Sequence, residues 1–249
     1  MIKEAMQYLF TEVVDKVKRP DPVIQVGAHS YRTIDKFELV KEPDEPVAKS
    51  IEITTLSGLI DYLERNADSL DLPKLTVQVC SHEMVKVIGP VFGNNKQRAN
   101  HLYARLPSFE GFAYGQYYDN EAFIIALQTM FVQDETRDKI LRIVSNLLDT
   151  SSGAFKDNGL SQEVVVKTGV VAVEQIELPN PVRLQPWRTF REIDQPHSQF
   201  VLRLKQNEGG PPKCALFEAD GGIWIFDAIA GIKEYLVKFC PKEVGAIIA

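Results

Sequence analysis

The sequence predicts an α+β protein: a mixed or mainly antiparallel sheet packed by a central helix pair and a C-terminal helix, with an amphipathic helix at the N-terminus. Two helical patterns lie almost back to back between Asp119 and Thr150. Beyond Thr150 the chain turns to short runs of β-branched residues. The strands thus follow the helices in runs instead of alternating strictly with them, which argues against a doubly wound parallel sheet or a dinucleotide fold.

Taken in order, Ile2, Met6, Leu9, Phe10, Val13, Val14 and Val17 share one helical face, and Arg19-Pro20 ends the pattern, so residues 1–19 form one amphipathic unit ahead of a body at 20–249. The polar side of that unit mixes Lys and Glu, unlike a membrane-surface helix, whose polar face is strongly basic. Val23 to Val26 and Tyr31 to Val40 read as strands, and Lys41 to Lys49 as a solvated acidic loop. From Thr54 or Thr55, either of which can cap, Leu56, Leu59, Ile60 and Leu63 supply a helical stripe as far as Asn66. Lys74 to Val91 reads as two strands or a bent hairpin, and His101 to Leu106 as a further strand.

The first central helix opens at Asp119-Asn120 and carries Phe123, Ile124, Leu127, Met130 and Phe131. Gln133-Asp134 interrupts it, and Ile140, Leu141, Val144, Leu147 and Leu148 repeat the stripe, with Asp138 and Arg142 outside as an i,i+4 pair. So short a connection predicts an antiparallel or sharply kinked pair. A sub-boundary near residue 151 separates this helical part from strands at Val164 to Val166, Val170 to Val173, and Ile176 with Leu178. Phe200, Leu202 and Leu204 alternate with polar partners, Asn207 to Pro212 reads as a hairpin loop, and the chain returns through Cys214 to Phe217. After the turn at Asp220-Gly221-Gly222, Ile223 to Phe226 reads as a last strand before a closing helix from Asp227 to Cys240.

Composition bounds the function. A chain of 249 residues with 45% apolar content can bury a core in one domain or two. Its net charge of −6 disfavours a protein whose main task is wrapping nucleic acid, and no apolar run approaches the roughly 20 residues of a membrane span. Met1-Ile2-Lys3-Glu4 lacks the pattern of a secretion signal, so an intracellular protein is expected. Cys80, Cys214 and Cys240, odd in number and widely spaced, read as reduced thiols.

No catalytic residue, metal site or cofactor motif emerges. Cys80, His82 and Glu83 are the compact set of metal-capable side chains, but two ligands on one strand face need partners such as His101, and ordinary burial is the simpler reading. Phosphate loops, dinucleotide fingerprints, nucleophile elbows and zinc-hydrolase signatures are absent from the sequence. The suggestive stretch is Arg183 to Lys205, locally basic in an acidic chain, in which Arg183, Trp187, Arg188, Arg191, His197 and Arg203 are candidate ligand-binding residues. Arginine forks and aromatic faces hold anions and stack on bases, so an anionic or nucleotide ligand is the functional reading. The plainer alternative is strand alternation with a solvated charged face.

Tyr114-Gly115-Gln116-Tyr117-Tyr118-Asp119-Asn120-Glu121-Ala122-Phe123, then Trp187-Arg188-Thr189-Phe190-Arg191-Glu192-Ile193-Asp194-Gln195-Pro196, then Leu216-Phe217-Glu218-Ala219-Asp220-Gly221 resemble, in wording and order, the YfdQ-like family of phage and prophage proteins. The likeness covers about the second half of the chain. It implies a phage-derived protein acting in the host bacterial cytoplasm and transfers no functional residue. The resulting expectation is a non-catalytic accessory protein that works through assembly or binding, with two alternatives: an anti-defence protein that sequesters a nucleotide or other anion, or a single-stranded DNA recombination accessory. A homo-oligomer is expected from the apolar end Val244-Gly245-Ala246-Ile247-Ile248-Ala249 and from the N-terminal amphipathic unit on its stiff Arg19-Pro20-Asp21-Pro22 connection.

Overall fold

The computed structural model describes residues 47–93, 96–146, 180–207 and 212–249 in full, and the backbone of the segments 23–26, 29–34, 36–40, 156–157, 162–167, 173–177 and 210–211. The expected N-terminal helix at 1–19, most of the acidic loop, and Leu147 and Leu148 lie outside the described residues. The chain forms two compact units, one of Met1–Ala48 with Pro90–Ala99, the other of Lys49–Gly89 with Asn100–Ala249. In the first unit β1 (Val23–Val26), β2 (His29–Ile34) and β3 (Lys36–Val40) form an antiparallel three-stranded sheet, with Tyr31 opposite Ile24 on one side and Leu39 on the other.

The remaining elements in chain order are β4 (Ile51–Ile53), α1 (Leu56–Arg65), β5 (Thr76–Ser81), β6 (Met84–Phe92), β7 (Gln97–Arg105), α2 (Asn120–Met130), α3 (Glu135–Ser145), β8 (Lys156–Asp157), β9 (Gln162–Lys167), β10 (Val173–Glu177), β11 (Val182–Leu184), β12 (Ser198–Asn207), β13 (Gly210–Glu218), α4 (Trp224–Phe239) and β14 (Ala246–Ile248). They make a five-stranded sheet in the order β14-β5-β6-β7-β4, an antiparallel sheet β11-β12-β13, and a small antiparallel sheet β10-β9-β8. The five-stranded sheet is mixed: β5 and β6 are antiparallel, while β14 on β5 and β4 on β7 are parallel. The α+β class read from the sequence is the class observed. No helix among the described residues is long and apolar enough to cross a membrane.

Local chemistry explains the helix ends. Thr55 Oγ1 accepts from Gly58 N–H at 3.1 Å at the start of α1, and Asn66, in the left-handed region at φ 41°, closes it. Asp134 caps α3 by accepting from Arg137 N–H at 2.6 Å. Asn120 Nδ2 donates to the Val144 carbonyl at 3.0 Å, which ties the start of α2 to the end of α3 and makes the pair antiparallel. Asp138 pairs with its neighbour Arg137 at 3.1 Å, and not with Arg142, whose Nε donates to the Asp138 carbonyl at 3.3 Å. The Arg137 hydrogen bond is the main cause that holds the Asp138 carboxyl below its ordinary range.

The helix pair and the closing helix serve different sheets. Phe123, Leu127 and Phe131 with Ile140 and Val144 of α3 pack on Leu184, Phe200, Leu202 and Leu216 of the β11–β13 sheet. Leu56, Leu59 and Leu63 of α1 and Ile232 and Leu236 of α4 pack with Val77, Val85, Val87 and Leu102 of the five-stranded sheet. Each fully buried Leu or Phe contributes about 1.5–3 kcal/mol relative to exposure.

Further local expectations change. Ile223 to Phe226 is not a strand: Phe226 N–H bonds the Ile223 carbonyl at 3.0 Å, and α4 is under way from Trp224, because four apolar residues in a row fit a helix start as well as a strand. The hairpin is tighter than Asn207 to Pro212, since β12 and β13 stay paired as far as Asn207 and Gly210. The apolar C-terminus is not free: β14 adds to the sheet edge beside β5, and Val244 and Ile247 pack against the second core. Gly245 permits that docking, because a Cβ there would collide with the Pro73 carbonyl.

Candidate ligand cleft

The residues between β11 and β12 form a loop held from inside. Its start pairs with the end of α2, Trp187 N–H to the Met130 carbonyl at 2.9 Å and Val132 N–H to the Gln185 carbonyl at 2.8 Å. Its centre is organised by the buried Gln195 amide. Gln195 Oε1 accepts from the N–H groups of Arg188 (2.9 Å) and Thr189 (3.1 Å), and Nε2 donates to the carbonyls of Phe190 (3.0 Å) and Ile193 (3.3 Å). Phe190 is fully buried in the second core, and Thr189 Oγ1 donates to the His82 carbonyl. Glu192 Oε1 accepts from Leu56 N–H at 2.7 Å and Ser57 N–H at 3.1 Å, placing a carboxylate at the α1 N-terminus, where the helix dipole favours it.

So anchored, the loop delivers Trp187 and Arg188 to a cleft of about 960 Å³. Its lining is aromatic, from Phe109, Phe112, Tyr114, Trp187 and Trp224, with Met130 and Pro186 adding apolar surface. Polar groups come from His82, Glu83, Arg105, Arg188, Glu218 and Glu52. The Leu106 N–H bond to the Glu83 carbonyl at 2.8 Å brings the end of β7 beside the β5–β6 turn and so sets Arg105 near His82 and Glu83.

Arg188 is the best-held polar group in the cleft. Its guanidinium carbon lies 4.6 Å from the Tyr114 ring centre, 4.5 Å from Trp224 and 5.4 Å from Phe200. Nε donates to Tyr114 Oη at 3.2 Å, and Nη1 donates to Ser198 Oγ at 3.4 Å. Nη2 lies 2.9 Å from Glu218 Oε1, but not at a hydrogen-bonding angle, so this contact is one of charge. The Arg188 side chain is 10% exposed and that of Glu218 41%. Burial pushes the Tyr114 hydroxyl up to about 12 despite the opposing charge of Arg188. Arg105 differs: it is exposed, and the one partner its guanidinium has among the described residues is Met84 Sδ, at 3.7 Å.

A second, smaller hollow of about 570 Å³ takes Arg183 and His197 together with Asp194, Asp220 and Asp227. Partial burial, and then the charge of Arg183, lower the His197 pKa. The six residues singled out in the sequence therefore do not converge. Trp187 and Arg188 line the cleft; Arg191 is exposed and stacks on the Trp187 ring at 3.9 Å; Arg183 and His197 line the second hollow; Arg203 sits on β12 opposite Ala215 and lines neither. Among the described residues no group of three His, Cys, Asp or Glu side chains is arranged to hold a metal ion. His82 instead meets the Trp224 ring edge-on at 4.8 Å, and Cys80 Sγ points at its own strand, 3.7 Å from the Gln78 carbonyl.

Sequence reasoning missed Tyr114, Trp224, Arg105, Glu218 and the organising Gln195. Tyr114, Gln195 and Glu218 stand within stretches singled out in the sequence, but no local pattern marks any of them as a site residue. By architecture this is an α+β protein with a cleft walled by aromatic side chains. The chain matches no known protein-family model, no curated protein and no solved structure.

Proposed function

We propose that the protein works by binding, taking a small molecule with a flat apolar part into the aromatic cleft. The observation that carries this reading is Arg188, a cation nine-tenths buried among three aromatic rings on the lining of a 960 Å³ cleft. A buried cation with one N–H edge short of a hydrogen-bond partner is costly, by about 1–3 kcal/mol, unless something completes it. Glu218 balances the charge of Arg188 at 2.9 Å but does not complete that N–H edge, which leaves it open to an acceptor on a ligand. The family resemblance supplies the setting: a phage-derived accessory protein in the host bacterial cytoplasm, with capture of a small anion as its anti-defence or accessory task. One of the two sequence features behind an oligomer, the apolar C-terminus, is used within the chain, which shifts weight from assembly to binding.

The test is a thermal-shift screen of aromatic acids, alcohols and amines against the full chain. At least one is expected to raise the melting temperature, with the shift lost in Trp224→Ala. A screen in which no compound moves the melting temperature would overturn the reading.

A further inference from the structure

We propose that the ligand of the cleft is a planar aromatic molecule carrying a single negative charge as a carboxylate. This rests on the binding reading above and adds the charge and shape of the ligand. Shape follows from the walls, since Trp187, Trp224 and Phe109 all line the cleft and aromatic surface favours a planar ring over branched aliphatic contact.

Charge follows from which cations are already balanced. Arg188 has Glu218 at 2.9 Å, so the floor of the cleft is close to neutral. Glu52 is exposed and the Glu83 side chain is 59% exposed, so water screens both. Arg105 is the lining cation that forms no ion pair within 4 Å with a carboxylate of the described residues, and its planar fork suits a carboxylate in two parallel hydrogen bonds. One uncompensated guanidinium matches one negative charge. A triphosphate would instead bring several negative charges, more than the one open guanidinium of the lining can pair, so nucleotide polyphosphates are disfavoured.

The experiment is calorimetric titration of the full chain with 2-naphthoate, 2-naphthalenemethanol and 2-naphthylmethylamine, which share a ring system and differ in charge, and with ATP. 2-Naphthoate is expected to bind about tenfold tighter than the alcohol, since water around the exposed Arg105 weakens the two-bond pairing, and tighter than the amine or ATP. In Arg105→Gln that advantage disappears while the alcohol binds as before, and Arg105→Lys recovers part of it. Arg105 is exposed, so neither change threatens the fold, and circular dichroism checks this. Alcohol or amine binding as tightly as the acid, ATP binding tighter, or an unchanged advantage in Arg105→Gln overturns the proposal and leaves the cleft a binding site. Silence from all three naphthyl compounds contradicts the binding reading itself, and the proposal with it.

Discussion

The two hollows draw on one stretch of chain and differ in almost every physical respect. The cleft receives Trp187 and Arg188, walls them with aromatic rings, and holds the loop behind them with a buried amide. The second hollow receives Arg183 and His197, faces them with Asp194, Asp220 and Asp227, and has no aromatic wall. Arg183 lies on β11, where alternation turns it to solvent between buried Val182 and Leu184; Arg188 lies on a loop, where hydrogen bonds turn it inward. The difference teaches that local basic composition does not locate a site. What separates the arginines is the cost of putting each where it is, and burial of a cation is tolerated only with partners arranged around it.

The largest effect that would sharpen this contrast is expected at two glutamines four positions apart. Gln195→Ala strands two N–H groups and two carbonyls of the loop, and should lower stability by about 3 kcal/mol or more in urea unfolding while abolishing ligand binding. Gln199→Ala, an exposed lining residue of the second hollow, should stay within about 0.5 kcal/mol. Similar losses for the two would contradict the role of the buried Gln195 amide in holding the loop.

A smaller effect is expected for the arginines themselves. Arg188→Leu keeps the apolar stack but gives up the Tyr114 and Ser198 bonds, with Glu218 left to be solvated, so a loss of about 1–2 kcal/mol is expected. Arg183→Leu should be neutral within about 0.5 kcal/mol, because the side chain is exposed. Equal unfolding midpoints for the two variants would break the contrast.

The smallest effect concerns pH. The folded state lowers the His197 pKa below 6.5, so protonation favours the unfolded chain: its contribution is present above 6.5 and is lost as pH falls through the folded value. His197→Gln should therefore lose less stability than wild type on acidification from pH 7 to 5, with the cleft's ligand affinity at pH 7 unchanged. A steeper acid loss in the variant would contradict the assigned direction.

Much of the fold was legible because its signals are local. Thr55 and Asn66 bracket α1 in the sequence as they do in space, and the stripe of Phe123 and Leu127, then Ile140 and Val144, marks the two helices of the first core. What was not legible depends on distant partners. Ile223 to Phe226 has strand-like residues, yet the Gly221-Gly222 turn, with both glycines at positive φ, leads directly into α4. Ala246 to Ile248 reads as a loose apolar end until Thr76 to Gln78 is beside it. The cleft was half legible. Trp187 and Arg188 stood out by residue type, but Tyr114, Trp224 and Arg105 arrive from three separate parts of the chain, and an amide such as Gln195 carries no sequence signal of its hub role.

The most direct measurement uses the chain's two tryptophans, Trp187 and Trp224, both of which line the cleft. Protein labelled with 5-fluorotryptophan should give two fluorine resonances, assigned by Trp187→Phe and Trp224→Phe, and titration with 2-naphthoate should shift both along one saturation curve. Saturable binding detected by calorimetry while both resonances stay fixed would place the ligand elsewhere and contradict the cleft as the binding site.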